Sequence, residues 1–377
     1  MISPICFTPE FLREQGRILQ VEDLQNLEKC TLALELVSRL QREGLDFIFK
    51  GGTSLLLHCN PARRLSIDVD ILSLEPVERF QEVLQKITRD APFVTWGHQD
   101  HRDREAPPTK HFKAFYTSAL TGEEANVQLD VICAENPYAR TIEATVNASF
   151  LEIGGDTQVR IPTASCLLAD KIATFAPTTI GYPYQPIVAA TGLPTEPRPI
   201  KVIKHLYDIG VLADIATDTS EVIATYRNIH AEQIKFRRTN HTLEDALHDT
   251  QMAAYHVCRI GGPKQNAGDP QAVEQRGILA RGIAALDSHL FTEPFKRAES
   301  QIAAAKAALA ARMILHDATD FNISGFLSES YDPLDLKVAE LTGPWEHISQ
   351  PLKKGNPEAF RIWHRAQEIV RQKTEYL

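Results

Sequence analysis

The chain has 377 residues, 43 % of them apolar and 24 % charged, with a formal net charge of −9. That length favours two domains over a single core, and the composition is that of an ordinary globular protein. The acidic balance argues against a protein that coats nucleic acid indiscriminately, and no apolar run approaches the roughly 18 residues of a spanning helix.

The start "MISPICFTPEFLREQ" lacks a basic region followed by a long apolar stretch. The six cysteines are scattered, with no CxxC pair. Reduced thiols in a cytoplasmic protein are therefore expected, with no disulfide frame, zinc site or membrane partner.

Residues 8–43 carry apolar positions three and four apart up to Gly44, which predicts a helical segment over 1–44. "DFIF" (46–49) reads as a short buried strand, 53–59 as a helix after a glycine turn, and "RLSIDVDILSL" (64–74) as a strand of period two. The amphipathic "VERFQEVLQKITRDA" predicts a helix, and "FVTWG", "KHFKAFYTSA" and "NVQLDVICA" predict strands. A mixed α/β core over 45–160 fits this order.

Beyond Arg160 the texture changes. "PTASCLLADKIATFA" predicts a helix capped by Thr163 or Ser165, followed by the Gly/Pro-rich "PTTIGYPYQPIVAATGLPTEPRP" and a second helix in "IKVIKHLYDIGVLADIA". Helical spacing then continues to the end, so 161–377 reads as a helical C-terminal domain without a fixed repeat. Two local basic stretches, 226–241 and 351–377, read as solvated helix faces or as polyanion contacts.

The chemistry concentrates between Lys50 and Leu72. Alternate side chains on a strand share one face, so Asp68 and Asp70 point the same way, with Ser66 beside them. Carboxylates about 7 Å apart repel unless a cation sits between them, and Mg²⁺ or Mn²⁺ suits hard oxygen ligands. Asp130 in "VQLDVI" is costly inside an apolar strand unless paired or metal-bound. Three such acids would form a platform for two-metal phosphoryl transfer. Lys50-Gly51-Gly52-Thr53-Ser54 lies between strand and helix, where backbone amides can receive a triphosphate. Its spacing matches neither GxxxxGK[ST] nor GxGxxG.

Gly51-Gly52, Asp68-x-Asp70 and Asp130 resemble the signature of the DNA polymerase β-like nucleotidyltransferase superfamily. More narrowly, "KGGTSLLLH" followed by "RLSIDVDI" is similar to the AbiEii/AbiGii toxin family, as are Lys171 in "LLADKIATF" and Lys204–Gly210 in "IKHLYDIG". The resemblance covers roughly 40–212; His205 departs from it, standing where the family commonly has an aspartate.

The resemblance implies an α+β polymerase β-like core followed by a helical domain. It also implies transfer of a nucleoside monophosphate from an NTP, with Asp68, Asp70 and Asp130 holding Mg²⁺. Lys50, Gly51, Gly52, Thr53 and Ser54 would cradle phosphates. Arg64, Lys171 and Lys204 would offset developing charge, with Ser66 and Asp208 also at the nucleotide. It further implies the toxin of a bacterial toxin–antitoxin pair, an antitoxin encoded nearby, and an RNA acceptor, best matched by the tRNA 3′ end. Two alternatives stand beside it: transfer to a small molecule, as in aminoglycoside-modifying nucleotidyltransferases, and a non-catalytic nucleotide-binding module. A phosphate on Ser66 would add nearly two negative charges beside the acids and block NTP binding.

Overall fold

The computed structural model describes residues 1–99, 108–187, 191–262, 269–291 and 293–374. These form two compact units, each discontinuous in sequence. The first comprises Met1–Asn136, Thr141–Thr163 and Ser288–Pro294, and the second Pro137–Arg140, Ala164–Asp287 and Phe295–Leu377.

In the first unit the helical segment breaks once, into α1 (Pro9–Leu19) and α2 (Leu24–Arg42). Thr8 caps α1 by accepting from the Phe11 amide, and Asp23 caps α2 by accepting from the Asn26 amide at 3.0 Å. After these come β1 (Ile48–Lys50), α3 (Gly51–Ser54), β2 (Val69–Leu72), α4 (Val77–Ile87), β3 (Phe93–Gln99), β4 (Thr109–Thr117) and β5 (Glu124–Ile132). The sheet runs β1-β2-β5-β4-β3, with β2 and β5 parallel and every other neighbouring pair antiparallel.

Burial alternates along β4 and β5, so the sheet has one covered face and one half-exposed face. Val69, Leu129 and Phe112 lie on the covered face, where Phe80 of α4 stacks on Phe112 with ring centres 5.6 Å apart. α2 packs on β2 and β5, joining the same core. A further antiparallel pair, β6 (Thr141–Thr145) with β7 (Gln158–Pro162), was not expected from its short, polar-interrupted sequence.

The strand predicted over 64–74 forms only as β2, Val69–Leu72. A distant segment claims its first part: the Leu65 amide donates to the His289 carbonyl at 2.9 Å, and the Phe291 amide to Arg63 at 3.2 Å. The next part is held by a side chain, because Thr53 Oγ1 donates to the Asp68 carbonyl. Asp68 therefore precedes the ladder instead of lying within it. The helix predicted over 53–59 is one short turn, α3, continued as a 3₁₀ turn at Leu55–Leu57.

The second unit holds α5 (Ala164–Thr174), α6 (Pro199–Ile215), α7 (Thr219–Arg237), α8 (Leu243–Arg259), α9 (Pro270–Leu286), α10 (Arg297–Leu315), α11 (Ile323–Ser328), α12 (Glu346–Gly355) and α13 (Pro357–Thr374). The alanine-rich α10 is central, packing against α6, α8 and α13. Its buried alanines run around the whole helix, as expected of an element enclosed by others.

Several cations of the basic tail serve packing. Arg361 lies over the rings of Phe326 and Tyr331, 4.3 and 4.7 Å from their centres, and Arg365 over Phe321. Residues 375–377 of that tail lie outside the described residues. None of the six cysteines is in a disulfide. Among the described residues, no helix is long and apolar enough to cross a membrane.

Candidate active site

The neighbouring strands β1, β2, β5 and β4 set one polar residue each in a single transverse row on the half-exposed face. Lys50 pairs in register with Asp70, Asp70 with Asp130, and Asp130 with His111. Neighbouring strands lie about 4.8 Å apart, so the two aspartates are adjacent across the parallel β2–β5 pair. Repulsion between them is bracketed by Lys50 on one side and His111 on the other. Both Asp70 and Asp130 are half-buried, as is Asp68, two residues before Asp70.

The glycine pair is shaped by this row. Gly51 adopts φ +75°, and a Cβ there would collide with Asp70 Oδ2. A Cβ on Gly52 would collide with Arg64 Nη2 and crowd Ser66 Oγ. The glycines thus admit a carboxylate and a guanidinium behind the turn, a requirement that the sequence reading assigned to approaching phosphate.

Thr53 and Ser54 are fully buried. Besides its bond to Asp68, Thr53 Oγ1 shares a hydrogen bond of 2.9 Å with Ser66 Oγ. Ser54 Oγ donates to the Gly51 carbonyl at 3.0 Å. Arg64 is also buried, its Nη1 donating to the Leu65 carbonyl at 3.0 Å. Thr53 thus ties the turn to the aspartate segment from inside, Ser54 braces the turn itself, and Arg64 packs against Gly52. Lys50 and Ser66 are half-exposed.

Asp130 is held by two donors. Its Oδ1 lies 2.7 Å from His111 Nδ1 and accepts from Gln128 Nε2 at 2.9 Å, while the same amide reaches Oδ2 at 3.1 Å. His111 was missed from sequence because only the β4–β5 register shows that it neighbours the acid, and Gln128 was missed although it shares β5 with Asp130. Alternation within β5 could have placed Gln128 on the face of Asp130.

The remaining predicted residues, Lys171, Lys204 and Asp208, belong to the second unit. Lys171 on α5 and Asp208 on α6 form an ion pair at 3.1 Å with both side chains buried. Lys204, one turn before Asp208, is half-buried. The second unit also contains a cavity of about 570 Å³ lined by Tyr184, Asp249, Met252, His256 and Gln275 among others, and none of the predicted site residues borders it.

The acids of the first unit offer only oxygen donors, half-exposed and on neighbouring segments, a set that suits a hard divalent cation. Among the described residues, no three His, Cys, Asp or Glu side chains already stand together as a ligand set. The donor chemistry fits such an ion, and its ligation requires side-chain adjustment.

The description "nucleotidyl transferase AbiEii toxin, Type IV TA system" matches residues 35–316. No curated protein matches the chain. Among solved structures, JHP933 from Helicobacter pylori is similar at 14 % identity and a TM-score of 0.35, over 80 % of this chain and 97 % of that one. An antigenic nucleotidyltransferase-like protein from Paracoccidioides brasiliensis is similar at 15 % identity and a TM-score of 0.35, over 59 % of this chain and 93 % of that one. With three quarters of its length matched, the chain belongs to the AbiEii nucleotidyltransferase toxin family of type IV toxin–antitoxin systems, and it is a nucleotidyltransferase.

Proposed function

We propose that the protein transfers a nucleoside monophosphate from an NTP to an RNA acceptor, with Mg²⁺ held by Asp68, Asp70 and Asp130. The observation that carries this reading is the register that sets Asp70 beside Asp130, next to the glycine turn. A divalent ion bound there supplies neutralisation of triphosphate charge and a lowered pKa for the acceptor hydroxyl.

The chain's own groups do the rest. Lys50, opposite Asp70, adds positive charge on the triphosphate side of the row. The Gly51 and Gly52 amides face the phosphates, while Thr53, Ser54 and Arg64 keep that turn in place from the interior. Asp130 accepts the proton of the attacking hydroxyl. The hydroxyl oxygen forms a bond to the α-phosphorus, and pyrophosphate leaves with the electron pair of the broken bond. Lys171, Lys204 and Asp208 act as nucleotide contacts in this reading, and Ser66 as a position where a phosphate would silence the enzyme.

Membership of a nucleotidyltransferase toxin family supports an RNA acceptor, foremost the tRNA 3′ end, and the exposed Lys235 of α7 and Arg238 just past its end are compatible with it. The cognate antitoxin follows from the same membership. The test is incubation of the protein with mixed RNA, Mg²⁺ and each α-labelled NTP. Label in RNA with wild type, and none with Asp70→Ala, is the expected result. Label confined to a small molecule or to protein overturns the RNA acceptor, and label retained by Asp70→Ala overturns the site.

A further inference from the structure

We infer that His111 is a positioning residue whose Nδ1 orients the Asp130 carboxylate so that Oδ2 is the oxygen presented to a divalent cation. The inference rests on the acidic-site reading above and assigns a role to a side chain which that reading leaves unused.

Three observations carry it. First, His111 and Asp130 are register partners, so the imidazole is set beside the carboxylate by the ladder itself. Second, their contact is 2.7 Å, the length of a charge-assisted hydrogen bond. An ionised carboxylate only accepts, so Nδ1 carries the proton. Third, the two carboxylate oxygens are unequally engaged. Oδ1 takes His111 at 2.7 Å and Gln128 at 2.9 Å, whereas Oδ2 has only the longer 3.1 Å reach of that same amide among the described residues. A carboxylate clamped at one oxygen ligates through the other, and the clamping group restricts its rotation before the ion arrives.

A surface ion pair serving stability alone would also place a histidine beside an aspartate. Both side chains keep more than a fifth of their area exposed, 24 % for His111 and 22 % for Asp130, which makes such a pair weak. Cation affinity therefore separates the two roles, since a stabilising pair would not alter it.

The experiment measures Mn²⁺ binding to the full-length protein by electron paramagnetic resonance, without nucleotide, alongside thermal melting. Wild type, Asp70→Ala, His111→Ala and His111→Asn are compared. His111→Ala is expected to weaken Mn²⁺ binding by about tenfold or more with little change in melting temperature. His111→Asn, whose amide nitrogen can stand near the place of Nδ1, should recover most of the loss. Wild-type affinity in His111→Ala, or no recovery in His111→Asn, overturns the positioning role while Asp70→Ala still reports the acidic site. Wild-type protein that binds no Mn²⁺ overturns both this inference and the reading beneath it.

Discussion

Gly51 and Gly52 differ in what they admit: the first makes room for the Asp70 carboxylate, the second for the Arg64 guanidinium. Gly51→Ala should therefore cost about 1–2 kcal/mol from its left-handed backbone, before any displacement of Asp70 is counted. Gly122→Ala is the control, with φ +76° and nothing within 4 Å of the added carbon. Urea unfolding should show the backbone cost in both, with a further loss in Gly51→Ala from the displaced Asp70, and NTP labelling should be lost only in Gly51→Ala. Equal labelling in the two variants would detach Gly51 from the site. Ser66 is a second residue-scale case, since its hydroxyl meets Thr53 inside the turn. Ser66→Asp should abolish labelling through charge beside the acids, and full activity in that variant would remove the regulatory reading.

At the scale of elements, α5 and α6 are tied by the buried Lys171–Asp208 pair. Removing one partner strands a charge in the interior, so Lys171→Ala or Asp208→Ala should each cost about 3–5 kcal/mol. The double change Lys171→Met with Asp208→Leu should restore much of that stability, because an apolar pair of similar volume avoids the desolvation cost. Chemical denaturation tests the stability, and NTP labelling of the restored double variant tests the chemistry. A stable but inactive double variant supports nucleotide contacts, whereas a stable and active one assigns the pair to structure alone. From sequence the two residues lie 37 positions apart, and only the packing of α5 on α6 joins them.

For the molecule as a whole, acid should be destabilising through the second unit. Burial, reinforced by the charges of Arg276 and Arg259, lowers the His256 pKa to about 4, so the folded state holds this imidazole neutral. Between about pH 6.5 and 4 the unfolded chain binds a proton that the folded one does not. Stability is therefore complete above pH 6.5, falls as the pH drops through that window, and levels off below it. Burial of His58 acts in the same direction. Asp249 opposes them: burial raises its pKa, so its contribution declines as pH rises through its own range. Hydrogen exchange of α8 amides should quicken at pH 4.5 relative to pH 7 after correction for intrinsic rates, with an opening free energy lower by roughly 2–3 kcal/mol. His256→Gln should flatten this dependence.

β7 ends at Pro162 and α5 begins at Ala164, so strand gives way to helix close to the change of texture beyond Arg160. The return of Ser288–Pro294 to the first unit was not legible, because it depends on main-chain bonds to Arg63 and Leu65. By itself the sequence determined the elements with regular spacing, the glycine turn and the carboxylates that point to nucleotidyl transfer, because periodicity and local motifs are properties of neighbours along a chain. Only the tertiary structure decided that Asp70 stands beside Asp130, that His111 grips the latter, and that Lys171 meets Asp208. Register and helix packing join residues far apart in sequence, and no local pattern encodes those distances.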